Sequence, residues 1–151
     1  MEREIVFRGK SKSTGEWVEG YYVGDNTIIA YNEVVYDMGF IDTSPCHDCY
    51  PGSIGQFTGF YDKNGKKIYE GDILRGDEYP FNCDGKDNYF AAIVWADNVC
   101  GFYRITLKNP NSTVRGISHG NSEQLDEEDI KSFEVIGNIT DNPELLKDGR
   151  D

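Results

Sequence analysis

The chain has 151 residues, with 15 Lys and Arg against 27 Asp and Glu, for a formal net charge of −12. That length is the size of one ordinary domain and supports a core without staples. The charge repels phosphate and argues against general nucleic-acid binding, which depends on Lys and Arg displacing condensed counterions. Ile and Val number 22, Leu and Ala only 9, and aromatics make up 13%. Such side chains suit a pleated, half-buried surface, so the composition predicts a mainly-β protein with 17 glycines as punctuation.

In chain order, Thr14-Gly15-Glu16 reads as a turn before a strand at Trp17–Val23. Gly24-Asp25-Asn26 turns the chain into Thr27–Tyr31, and Val34-Val35-Tyr36 reads as a further short strand. Thr43 to Gly52 lacks period-2 alternation and reads as loop. Ser53–Phe60 alternates as a strand should. Asp62-Lys63-Asn64-Gly65 then predicts a type I′ hairpin turn, with Lys67-Ile68-Tyr69 as the return strand. Glu70-Gly71-Asp72 bends the chain into Ile73-Leu74. Residues 76–88 read as a long loop. Tyr89–Ala96 and Gly101–Leu107 form a second hairpin about Asp97-Asn98, its first strand apolar on both faces and so central. Residues 108–126 read as a second long loop, Asp126–Ile130 as a helical turn and Phe133–Ile139 as the last strand. Asp141-Asn142-Pro143-Glu144-Leu145-Leu146 has the cap and first-turn Pro of a short terminal helix. The expected architecture is mainly β with minor α+β character: a barrel-like antiparallel core with long loops and a short C-terminal helix. It forms one domain over 1–151, with an N-terminal β subregion at 1–42 and a barrel-like core at 53–146.

Few residues carry recognisable chemistry. Cys46-His47-Asp48-Cys49 has the C-x-x-C spacing of half a zinc site, and Cys46 and Cys49 are the metal candidates. Completing a closed site needs ligands from Cys83, Cys100, His47 and His119, which lie in no second pair of matching spacing. The alternative is reduced loop thiols, and Tyr50-Pro51-Gly52 supplies a turn where a redox motif needs a helix. Gly9-Lys10-Ser11 lacks the leading Gly of a phosphate loop, its place taken by Glu4. No metal, cofactor or catalytic residue is assigned. The N-terminus lacks an apolar signal region and no stretch approaches the roughly 20 residues of a membrane span, so the expected place is the cytoplasm.

Several blocks together resemble the YopX family of phage and prophage proteins. They are Phe7-Arg8-Gly9-Lys10, Thr14–Gly20, Ile54-Gly55-Gln56-Phe57-Thr58-Gly59, Asp62–Ile73, Ala92-Ile93-Val94-Trp95 and Glu134–Leu146. The resemblance implies a mostly-β fold with a barrel-like core, a phage accessory gene in a bacterial host, and no established activity. The family's usual acidic, Pro-containing turn before the central motif is replaced here by Cys46–Pro51.

The expected function is a non-enzymatic interaction or assembly module that binds a protein partner or itself as a homo-oligomer, because turn glycines and β residues dominate the recognisable blocks. Open sheet edges invite such pairing. Gly55, Gln56, Phe57, Thr58, Gly59, Tyr69, Glu70, Gly71 and Asp72 form the candidate functional or structural motif. Two alternatives stand beside it. One is a ligand-binding or enzymatic barrel with its site near Gln56, Glu70 and Asp72. The other is an acidic inhibitor of a host nucleic-acid enzyme, built on the net charge.

Overall fold

In the computed structural model the described residues are 2–31, 36–37, 40–41, 46–76, 89–108 and 122–146. The chain divides into two compact units, residues 1–57 and 58–151.

The first unit contains β1 (Phe7–Lys10), β2 (Trp17–Tyr22), β3 (Thr27–Ala30), β4 (Tyr36–Asp37), β5 (Phe40–Ile41) and β6 (Cys46–Asp48). Its sheet runs β6-β3-β2-β1 and continues onto the start of β7 (Gly55–Tyr61), with every pairing antiparallel. Asp25 and Asn26 join β2 to β3 with φ of 48° and 59°, and Thr27 N donates to Gly24 O across them at 2.9 Å. Two left-handed central residues are what a type I′ hairpin requires, and Asp and Asn tolerate them best after glycine. Gly20 faces Ala30 across the ladder, where a Cβ would strike the Ile29 carbonyl. Register puts Ile28, Ala30 and Cys49 on one face, where all three are buried.

The expected loop at Thr43–Gly52 is corrected: it contains β6, whose Thr27↔Asp48, Ile28↔His47 and Ile29↔Cys46 pairs extend β3, followed by a 3-10 turn at Pro51–Ser53. Backbone pairing with β3 supplies the order that the side-chain pattern of Cys-His-Asp does not announce. Tyr36 belongs to β4, which pairs with β5; residues 34–35 of the expected strand lie outside the described residues.

In the second unit the end of β7 leads through a hairpin to β8 (Lys67–Tyr69). The main sheet follows: β9 (Asp72–Gly76), β10 (Tyr89–Ala96), β11 (Gly101–Lys108), β12 (Ser122–Gln124) and β13 (Phe133–Asn138), with α1 (Glu127–Ile130) before β13. Its order is β12-β11-β10-β9-β13. Tyr89 and Ala91–Ile93 are buried, consistent with a central β10. One face of this sheet packs Leu74, Tyr89, Ala91, Ile93, Phe133 and Val135 against Ile68 and Ile130, with Phe60 and Leu125 at the margin. Each such large side chain contributes roughly 1.5–3 kcal/mol on burial.

The mainly-β, antiparallel reading holds, but the strands form open sheets and no closed barrel is present among the described residues. Closure requires one continuous hydrogen-bonded ring, and the second unit's sheet instead ends at β12 and β13. Residues 77–88 and 109–121, most of the two expected long loops, lie outside the described residues, while the end of the second forms β12. The terminal helix is a 3-10 turn at Pro143–Leu146.

The Asp62–Gly65 turn also departs from type I′. Gly65 is left-handed at φ 80° and its N donates to Asp62 O at 3.0 Å, but Asn64 is not left-handed. Asp62 Oδ1 accepts from Asn64 N at 2.8 Å and from Lys66 N at 2.9 Å, and this side-chain turn selects the alternative geometry.

Candidate functional site

The central motif is split between the units at Phe57 and Thr58. In the first unit Gly55 pairs with Arg8 and Gln56 with Phe7, and Phe57 N donates to Val6 O at 2.9 Å. Phe57 is buried and Gln56 half-buried.

In the second unit the motif is a knot of internal hydrogen bonds. Thr58 Oγ1 donates to Ile68 O at 2.8 Å and accepts from Phe60 N at 3.2 Å. Asp72 is fully buried, and its Oδ2 accepts from Tyr69 N at 2.7 Å across the bend. Gly71 takes φ 88°, donates its N–H to Ile93 O and accepts from Ile139 N, both at 2.8 Å. One glycine thus joins the bend to β10 and to the chain leaving β13, and a side chain at this φ would strain all three. Tyr69 is buried, Glu70 half-buried and Gly59 exposed at φ 93°.

The cysteine motif lies in the first unit. Cys46 is exposed and its register with Ile29 puts it on the same face as Tyr21. Cys49 is fully buried on the other face, where a Cβ on Gly9 would approach its Sγ to 2.8 Å. Residues three apart in extended chain point to opposite sides, so C-x-x-C spacing here does not bring both sulfurs to one ion. Among the described residues no group of three or more His, Cys, Asp and Glu is placed to hold a metal. Burial raises the Cys49 thiol above its ordinary pKa, opposite to the shift a reactive thiolate needs. Cys100 sits exposed in the β10–β11 turn at φ 50°. Cys83 and His119 lie outside the described residues.

β6 also places His47 Nδ1 at 3.3 Å from Ser11 Oγ, which is 3.1 Å from Ser13 Oγ. The pair has the separation of a nucleophile and its base. Ser11, however, is fully buried, which closes Oγ to a substrate. Its backbone bonds to Glu16 O and Gly15 N make it the anchor of the β1–β2 turn.

Two structural centres escaped the sequence reading, both in the second unit. Asp62 is buried, and beyond its turn bonds its Oδ2 accepts from Val135 N at 3.0 Å. One carboxylate thus satisfies three backbone N–H groups and ties the β7–β8 hairpin to β13. Arg104, 3% exposed, forms ion pairs with Glu123 and, at 3.3 Å, with Asp129. Its guanidinium lies 5.4 Å from the Phe133 ring centre and 6.0 Å from that of Tyr89. Tyr89 Oη is 2.8 Å from Thr106 Oγ1, and burial raises the Tyr89 pKa. The available signal was an Arg at a period-2 position between Phe102 and Thr106, with an acidic run downstream.

The outer face of the first unit's sheet is rich in rings. Register places Tyr21 on the face of Ile29, and the ladder hydrogen bonds Val23 N to Thr27 O and Tyr31 N to Glu19 O carry the pairing just beyond β2 and β3 to Val23 and Tyr31. Tyr21 and Val23 are each 55% exposed and Tyr31 43%. The Arg8 guanidinium covers the Trp17 ring at 4.6 Å, and Tyr31 Oη donates to Glu19 Oε2 at 3.1 Å.

Comparison with known proteins gives three findings. The family model described as YopX protein matches residues 6–147. The crystal structure of protein EF1440 from Enterococcus faecalis is similar in fold, with a TM-score of 0.58 at 23% identity, covering 95% of this chain and 99% of that one. Among curated proteins, none matches.

Proposed function

The chain belongs to the YopX family, and from that premise we propose that it is a phage or prophage accessory protein acting through protein contacts, without catalysis. The observation that carries this is the exposed Tyr21, Val23 and Tyr31 face of the first unit. Large exposed apolar side chains gathered on one face suit a contact site. Tyrosine suits such a face, offering large apolar area with a polar tip and few torsions to order. The buried polar groups of the central motif support the same reading, since Thr58 and Asp72 serve backbone bonds of the fold.

The form of the proposal tested first is self-assembly in the bacterial cytoplasm. Native mass spectrometry of untagged protein, purified without chelator, should show a discrete oligomer without bound metal. Tyr21→Glu should shift it to smaller species while leaving thermal unfolding within about 0.5 kcal/mol of wild type, as exposed substitutions do. A monomeric wild type removes self-assembly, and an oligomer indifferent to Tyr21→Glu removes this face.

A further inference from the structure

Asn64-Gly65 is the chain's one Asn-Gly pair, and it lies at the tip of the β7–β8 hairpin. Both residues are exposed. Gly65 takes φ 80°, and the place a Cβ would occupy opens onto empty space. With no side chain on Gly65, none of its own atoms hinders approach of its nitrogen to the neighbouring Asn64 Cγ.

The backbone of this tip is nonetheless fully engaged. Asp62 N donates to Lys66 O at 2.8 Å, Lys63 N to Phe133 O at 2.9 Å and Gly65 N to Asp62 O at 3.0 Å. Asn64 N and Lys66 N both donate to Asp62 Oδ1, at 2.8 and 2.9 Å. Every N–H from 62 to 66 thus has an acceptor, and the two that flank Gly65 N share one oxygen of a buried carboxylate. The other oxygen, Oδ2, accepts from Val135 N on β13 at 3.0 Å.

We propose that Asn64 is a site of spontaneous deamidation, and that the Asp62 carboxylate holds it shut while the hairpin is folded. In the open turn Gly65 N gives its proton to solvent base and bonds to Asn64 Cγ. The Cγ–Nδ2 bond breaks, ammonia leaves with a proton from solvent, and a five-membered succinimide closes. Water then adds to either ring carbonyl and yields Asp or isoaspartate. One water is consumed and one ammonia released, with no change of oxidation state. In the folded turn Gly65 N is bound to Asp62 O, and turning it toward Cγ requires the flanking N–H groups to leave Asp62. The negative charge of the carboxylate also opposes the anionic nitrogen that attack needs. Isoaspartate lengthens the main chain by a methylene and so misplaces one of the two N–H groups that Oδ1 accepts.

The test incubates the full chain in mildly alkaline buffer and follows the amide-to-acid mass gain in the proteolytic peptide that contains Asn64. The same chain in guanidinium gives the unguarded rate. Wild type should react at least about tenfold more slowly than the denatured chain. Asp62→Ala, shown to be folded by its melting transition, should react about tenfold faster than wild type, because losing bonds to a charged acceptor raises the open population. Asp62→Asn keeps an acceptor oxygen and should react about threefold faster, and it decides the matter if Asp62→Ala does not fold. Val135→Ala loosens the same unit but leaves both Oδ1 bonds in place, and should stay within about twofold of wild type. Equal acceleration by Val135→Ala and the Asp62 variants would mean that global unfolding sets the rate, and would overturn the guard. Asp62 variants that react at the wild-type rate, or a wild type as fast as the denatured chain, would overturn it too. An inert Asn64 in the denatured chain would overturn the site itself.

Discussion

Asp62 shows how much a single side chain does in this molecule. Its two oxygens serve Asn64, Lys66 and Val135 N–H groups, each costly to leave unpaired when buried. Asp62→Ala is expected to destabilise by about 3 kcal/mol, and Asp62→Asn by less because an amide oxygen keeps part of the set; chemical denaturation measures both. Tyr89 gives a pH-dependent counterpart. Its folded pKa is raised by burial, so the unfolded chain gives up the phenolic proton first as pH rises. The stability it contributes is complete below the ordinary tyrosine pKa of about 10 and is lost as pH climbs toward the folded value. Tyr89→Phe should therefore melt lower near neutrality, having lost the Thr106 bond, yet decline less steeply above about pH 10. An alkaline limb of unchanged slope would contradict this.

At the scale of elements, β12, α1 and β11 meet at Arg104. The guanidinium faces the core between Tyr89 and Phe133 while Glu123 and Asp129 approach from the two later elements. Glu123 and Asp129 are 41% and 44% exposed, so water solvates them once Arg104 is removed, and the loss falls mainly on the space its side chain fills between Tyr89 and Phe133. Arg104→Ala is expected to cost about 2–3 kcal/mol, chiefly from the cavity left in the core. Arg104→Met, which fills the space, should recover part of it, and thermal unfolding of the two variants decides. The cysteine motif teaches the opposite lesson at this scale. Spacing alone suggested a shared ligand pair, and β6 pairing with β3 sends Cys46 outward and Cys49 inward. The exposed Tyr21, Val23 and Tyr31 beside β2 and β3, tested through Tyr21→Glu, belong here too, since strand pairing brings them to one side of the sheet.

For the whole molecule, charge and surface act together. The −12 formal charge repels anions and attracts cations at long range. Native mass spectrometry addresses the exposed tyrosine face and the subunit number. The fold likeness to the Enterococcus faecalis protein spans nearly both chains, so the arrangement of strands extends well beyond close sequence similarity.

The sequence by itself determined the mainly-β class, most strands and the bends, because period-2 alternation and Gly or Asp at turns are local signals. Gly71 and Asp72 were legible as a bend, and Asp126–Ile130 as one helical turn, for that reason. Family membership was legible in the same blocks. Tertiary structure alone decided that the sheets stay open, that β6 is a strand, and that Asp62 and Arg104 bind elements distant in the chain. It also decided which tyrosines face outward. Those features depend on strand register and on which long-range partner receives each buried polar group, and neither is encoded in the neighbours of a residue along the chain.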